Sequence, residues 1–400
     1  MRLKSGYPFW LVSNGLPFRY PKLEKNITTD VAILGAGITG ALMRYYLVNA
    51  GIDCVTVDER TAGLGSTSAS TSLLQYEIDI PLYELIDLIG KEKAEKAYKL
   101  CDYSIEELHK IAKKLNVEFE KRNSLYYAAY KKDVSWLKKE YEVRKNAGFK
   151  VDYLDEKQIK NEFGFSAQGA ILSHHGAQTN AYMFMHHLLQ YGKDKKKHPV
   201  YDSTKVINIK NNKNKVILET ENGCTITANK IIYATGYEIV EFISKKIVDL
   251  KSTYAVISEQ YNDRPFWKDE VLIWNTADPY LYVRTTPDNR VLIGGRDEDF
   301  QDDKKRDKLL DRKTKQLAKD INKIFPDLNF KPEFSWAGTF GETKDGLPFI
   351  GTYKKMPNSY FALGFGGNGI TFSLIAAEII TDLITGKKNK NEELFSFSRI

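Results

Sequence analysis

Asp30-Val31-Ala32-Ile33-Leu34 runs straight into Gly35-Ala36-Gly37-Ile38-Thr39-Gly40, and Cys54-Val55-Thr56-Val57-Asp58 follows one helix length later. The first run is short, apolar and β-branched, suited to a strand buried on both faces of a parallel sheet. Ala41 to Asn49 reads as helix, with Gly51 placed to end it in a left-handed cap. The second run is another strand, and it ends in a carboxylate. The pattern predicts one βαβ unit. Gly35 makes the tight turn, Gly37 lets backbone approach a pyrophosphate, and Gly40 lets helix and strand pack closely. The helix N-terminus adds free N–H groups and partial positive charge. Asp58 lies 18 residues past Gly40, close to the ~20 expected of an acid that accepts ribose hydroxyls. It disfavours a 2′-phosphate and hence NADP. Any tight strand-to-helix turn can use glycine, but strand, helix, second strand and acid all in register favour dinucleotide binding. FAD and NAD share this fingerprint.

Outward from this unit the texture changes. Residues 82–160 are charged and helix-favouring, with Ala97, Leu100, Ile105, Leu108 and Ile111 at helical spacing between Glu92 and Leu115. Residues 200–236 read as strands with a turn at Glu221-Asn222-Gly223, and residues 251–295 alternate as strands again. A lysine-rich amphipathic helix from Asp303 stops before Pro326. The chain closes with a strand at Ser359–Leu363, a second glycine turn and a helix from about Thr371 to Thr385. Nucleotide-like elements at the start, middle and end predict a nucleotide domain built from separated segments.

Composition narrows the class. A chain of 400 residues exceeds what one hydrophobic core usually organises, and 42% hydrophobic with 28% charged residues excludes a largely disordered chain. No stretch reaches the ~18 uncharged apolar residues needed to cross a bilayer. Pro8–Val12 is too short for a signal-peptide core, so a soluble, cytoplasmic protein is expected. Cys54, Cys101 and Cys224 are scattered, which argues against disulfides and a cysteine metal site; no metal is expected. The net charge of +7 sits largely in short runs such as Lys195–Lys197 and Lys387–Lys390. No basic patch interleaved with aromatics marks a nucleic-acid partner.

Three further segments select flavin over nicotinamide. Gly63-Leu64-Gly65-Ser66-Thr67-Ser68-Ala69-Ser70-Thr71 is small and hydroxyl-rich; Lys230-Ile231-Ile232-Tyr233-Ala234-Thr235-Gly236 is a strand ending in Ala-Thr-Gly. Asp345-Gly346-Leu347-Pro348-Phe349-Ile350-Gly351 precedes Gly364-Phe365-Gly366-Gly367-Asn368-Gly369-Ile370-Thr371. Together these resemble the FAD-dependent D-amino-acid oxidase family, which includes glycine oxidase, sarcosine oxidase and glycerol-3-phosphate dehydrogenase, over about residues 30–386. The resemblance implies an α/β fold: a discontinuous Rossmann-like FAD-binding domain (26–85, 167–248 and 333–390) with an inserted α+β substrate domain (86–166 and 249–332) containing an antiparallel sheet. It implies that Gly35, Gly37, Ile38, Thr39, Gly40, Asp58, Glu59 and Arg60 hold the ADP half. Ser66, Thr67, Ser68, Thr235 and Gly236 join them, and Gly366, Gly367, Asn368, Gly369 and Ile370 face the flavin ring. A helix starting near Gly369 would stabilise negative charge on reduced flavin.

Departures from the family pattern bear on chemistry. Covalent members attach flavin at positions that here are approximately Gly338 and Ala69, so noncovalent FAD is expected. Phe340 stands where glycine oxidase and its relatives place a carboxylate-binding arginine. Ser72, Gln75, Leu292 and Thr371 stand at the basic positions of monomeric sarcosine oxidase. The usual amino-acid clamp is missing. Substitute candidates at the substrate are Arg296, Arg284, Tyr254 and Gln75; Arg284 could instead pair with a neighbouring acid, and Asp297 and Glu298 offer Arg296 local partners. His174 or His175 could bring a base near the flavin or be structural. The reading is an FAD-dependent oxidoreductase taking hydride from a C–H next to an amine or hydroxyl of a small anionic substrate. Flavin N5 is the acceptor, and oxygen or another electron acceptor reoxidises it. An NAD-dependent dehydrogenase and a non-catalytic flavin-binding module are the alternatives.

Overall fold

Strand Ile27–Leu34 ends in four buried residues, and its alternation decides what covers each face. Val31 and Ile33 pack into one core and Ala32 and Leu34 into another, as period-2 geometry requires of a strand covered on both sides. In this computed structural model, which describes residues 2–192, 198–212, 214–241, 247–263 and 266–399, that strand is central to an eight-stranded sheet. It pairs in parallel with Cys54–Val57 and with Thr225–Tyr233. Thr225–Tyr233 also pairs in parallel with Met356–Leu363, so segments from the start, middle and end of the chain form one sheet. The run Lys195–Lys197 lies outside the described residues.

Helix Ile38–Asn49 covers one face and packs on helices Ala181–Gln190 and Gly369–Ile384. Gly40 makes this close approach possible, because a Cβ there would collide with the Gly35 carbonyl oxygen. Gly35 takes φ +112°, and a Cβ on it would collide with the carbonyl of Ala234. The first glycine turn therefore lies against the Ala-Thr-Gly strand end.

A ten-stranded mixed sheet forms the second layer, in the order 4–6, 332–342, 249–258, 290–298, 281–286, 272–275, 119–127, 170–179 and 73–75, with 151–154 beside 170–179. Helix Asp303–Ile324 packs across strands 249–258, 290–298 and 332–342, burying Leu317 and Ile321 against Val256 and Ile293. Strands 73–75, 170–179 and 332–342, which the sequence reading grouped with the cofactor segments, belong to this sheet. The N-terminal strand Lys4–Gly6 pairs with Gly338–Trp336, an edge too short to carry a sequence signal. Beside it, Trp10 Nε1 donates to the Ser70 carbonyl (2.7 Å) and Trp336 Nε1 to that of Ala69 (2.8 Å). These two indoles pin the hydroxyl-rich loop.

No helix among the described residues is long and apolar enough to cross a membrane. Cys54, Cys101 and Cys224 are free.

Candidate active site

One cavity of about 1040 Å³ runs between the two sheets and takes in both glycine turns. At one end, Gly35, Gly37 and Ile38 line it beside Asp58. Asp58 Oδ2 accepts from the Ala36 N–H (2.7 Å) and Oδ1 from the Arg60 N–H (2.9 Å). Burial pushes the Asp58 carboxyl up to about 6, against the downward pull of those two N–H groups. Arg60 is forked onto Glu238, with Nη1 2.9 Å from Oε2. Helix Ile38–Asn49 starts from Gly37 without a side-chain cap; its first N–H, that of Ile38, donates to Thr67 Oγ1 (3.0 Å).

At the other end, helix Gly369–Ile384 also begins without a side-chain cap bond. Asn368 instead donates Nδ2 to the carbonyls of Gln75 (3.1 Å) and Glu77 (2.8 Å), fastening this second turn to the strand after the hydroxyl-rich loop. Gly366 takes φ +56°, and the Asp79 carboxylate fills the space its Cβ would need. Asp79 Oδ2 accepts the Gly367 N–H (2.8 Å), and burial raises its carboxyl to about 6. Tyr280, Tyr282, Asp297, Thr253, Lys251, Phe340 and Glu342 complete this end. Lys251 Nζ bonds Glu342 (2.8 Å) and Asp299 (3.3 Å). Asp297 is bonded by the Thr253 hydroxyl, and burial pushes it up to about 7.

A family model described as FAD dependent oxidoreductase matches residues 30–383. The chain belongs to this family. Gamma-glutamylputrescine oxidoreductase of Escherichia coli (strain K12) is 25% identical over 389 residues, spanning 92% of this chain and 86% of the relative. Glycine oxidase of Bacillus licheniformis is 24% identical over 387 residues, spanning 92% and 96%. The crystal structure of glycine oxidase from Geobacillus kaustophilus superposes with a TM-score of 0.77 at 19% identity, covering 93% of this chain and 99% of that one. The α/β FAD-binding fold, the oxidoreductase class and FAD as cofactor thus agree with the sequence reading.

The cavity of this FAD-dependent oxidoreductase suits a dinucleotide in chemistry as well as size. Two helix N-termini open onto it, and the buried hydroxyls of Ser66 and Thr235 on its wall have no hydrogen-bond partner. Of the residues expected to hold FAD, Gly35, Gly37, Ile38, Thr39, Asp58, Glu59 and Arg60 line the cavity. Ser66, Thr67, Thr235, Gly236 and the stretch from Gly366 to Ile370 line it too. Gly40 and Ser68 do not. Gly40 acts beneath the turn, and Ser68 bonds its hydroxyl to the Gly65 carbonyl (3.1 Å).

The substrate candidates fare differently. Arg296 turns away from the cavity into a two-pronged pair with Asp320, at 2.7 and 2.6 Å. Gly295 at φ +127° and Arg296 itself at φ +60° twist the strand there, so Arg296 leaves the cavity face while Asp297 enters it. Arg284 is fully buried, donating to the carbonyls of Thr71, Ser72 and Thr179 at 3.0–3.1 Å. Burial lowers its guanidinium to about 10. It ties the hydroxyl-rich loop to strand 170–179 and does not line the cavity. Tyr254 lines the wall, but its hydroxyl donates to the Arg306 carbonyl (3.4 Å). Gln75 also lines it and donates to Ser124 Oγ (2.9 Å). His174 pairs with Asp152, and His175 with Asp102 and Glu106, all outside the cavity. Ser72 and Thr371 line the cavity, whereas Leu292 is core.

Asp79, Lys251, Tyr280 and Glu342 escaped the sequence reading, and Asp297 entered it only as a local partner for Arg296. Each comes from a strand or a loop without a motif, and the one available signal was the acidic run Asp297-Glu298-Asp299 after two glycines.

Proposed function

We propose that this FAD-dependent oxidoreductase removes hydride from a C–H bond next to an amine or hydroxyl of a small molecule, on noncovalently held FAD. When bound, FAD supplies a two-electron acceptor for that hydride. The observation that carries the reading is the convergence of both glycine turns, each opening a helix, on one cavity. Gly35, Gly37, Thr67 and Asp58 would hold the ADP half; Gly366 to Ile370 and the N-terminus of helix Gly369–Ile384 would hold the ring and favour negative charge on it. The N-terminal strand and the two indoles pinning residues 69–70 keep the hydroxyl-rich loop in place.

An amine is favoured over a hydroxyl donor. The two arginines on which an anionic substrate depended are engaged elsewhere, and the two relatives are named for gamma-glutamylputrescine and glycine, both of which bear an amine. In the proposed division of labour the eight-stranded layer carries the nucleotide and the ten-stranded layer the substrate. Oxygen or another acceptor takes the electrons, and the three free cysteines suit a cytoplasmic setting.

The test is anaerobic reduction. Purified protein loaded with FAD should be yellow, should release all its flavin on denaturation, and should bleach with amines. A protein that takes up no FAD contradicts the reading, as does a loaded protein whose flavin no amine or hydroxy acid bleaches; NADH formation in its place would favour the nicotinamide alternative.

A further inference from the structure

The substrate end of the cavity has an unbalanced charge. Among the described residues, Lys251 is the ammonium that acts on Asp79 and Asp297 beside Glu342, Lys344 lines the cavity wall nearby, and Asp299 adds a further carboxylate at the rim. Lys251 is in ion pairs with Glu342 and Asp299 and acts on the two inner carboxylates only as a more distant charge. Asp297 Oδ1 is shut off from solvent and accepts no hydrogen bond. An unpartnered buried carboxylate oxygen is costly and calls for a donor.

The wall beside these acids is aromatic. Tyr126 stacks on Trp274 with ring centroids 3.6 Å apart, Trp274 meets Tyr280 edge-on at 6.5 Å, and Tyr280 lies 5.9 Å from Tyr282. The chain of rings ends at the second glycine turn: a Cβ on Gly367 would stand 2.7 Å from Asp79 Oδ1 and 3.3 Å from the Tyr280 hydroxyl. Carboxylates against ring faces form the environment that holds an ammonium by hydrogen bonds and cation–π attraction. A carboxylate ligand would find Phe340 and three acids there.

We infer that the substrate is a cationic primary or secondary amine with no carboxylate on the carbon that loses hydride, its ammonium held by Asp297 and Asp79 against Tyr280. This rests on the amine-oxidation reading above and narrows it. Burial pushes both carboxyls up, and an ammonium beside them would bring both back down.

The experiment uses the FAD-loaded protein and two unreactive probes of matched planar shape, benzamidine, a cation with N–H donors and no oxidisable C–H beside its nitrogens, and benzoate. Binding is read from the flavin absorption band and from tryptophan fluorescence. Benzamidine should bind at least tenfold more tightly than benzoate. Asp297→Asn should erase at least tenfold of that preference with FAD content unchanged. Equal or tighter benzoate binding overturns the inference, as does binding of neither probe. A parallel anaerobic panel pairs benzylamine and N-methylbutylamine with glycine and sarcosine. Bleaching by the amino acids alone leaves the amine-oxidation reading standing and sinks this one. Failure to bind FAD sinks the earlier reading and this one with it.

Discussion

The two ends of the cavity are built by different means. The nucleotide end is made of backbone: glycines that remove Cβ atoms, a helix N-terminus and one carboxylate accepting two N–H groups. The proposed substrate end is made of side chains that four separate strands and two loops bring together, namely Lys251 and Thr253, Tyr280 and Tyr282, Asp297, Phe340 and Asp79. A backbone site has little freedom in its residue types, so it leaves a fixed spacing in the sequence. A side-chain site depends on register between distant strands, such as Lys251 opposite Phe340 and Thr253 opposite Gly338, and leaves no spacing at all.

This contrast can be broken by substitution. Gly40→Ala should have the largest effect, because the added Cβ meets a carbonyl oxygen that neither helix nor strand can move. We expect a loss of about 3 kcal/mol, as in severe overpacking, together with loss of FAD retention, measured by denaturant unfolding and by the flavin-to-protein ratio. Full stability in this variant would mean that the turn is looser than described.

Asp297→Asn should behave in the opposite sense. A carboxyl raised from its ordinary value to about 7 costs nothing when both folded and unfolded chains are protonated. The cost of ionising it in the folded state grows as pH climbs from about 4 to 7 and is constant above. Glu342, Asp79 and Lys251 act on this group, the two acids raising it and the ammonium lowering it. The asparagine variant should therefore be more stable than the parent by about 2 kcal/mol at pH 8, with no gain near pH 4, while amine oxidation falls at least 100-fold. Thermal melts across that pH range check the sign. A variant that is less stable at pH 8 would place Asp297 among the structural ion pairs.

Arg296→Ala should do least. Its pair with Asp320 is partly exposed and outside the cavity, so we expect about 0.5 kcal/mol of stability lost and kcat/KM within twofold of the parent. A hundredfold loss of activity would return Arg296 to the substrate.

What was legible in the sequence follows the same line. The βαβ unit, the Ala-Thr-Gly strand and the second glycine turn could be read because each imposes a steric demand at a fixed interval. The helix at Lys91–Leu115 was visible in its apolar spacing. That Asp297, and not Arg296, lines the cavity is not legible, since period-2 alternation does not reveal the twist at Gly295 and Arg296. The N-terminal strand was missed because three residues on a sheet edge carry no periodicity. Asp79 was missed because its role exists only once Gly366 and Gly367 fold over it.

The most direct test of the account is a crystal structure of the FAD-loaded protein. It should place the pyrophosphate at the Gly35–Gly40 turn and the flavin ring against Gly366 to Ile370, in a single continuous span of density. Density for the cofactor that reaches one turn and not the other would contradict the claim that these two distant stretches of chain build one site.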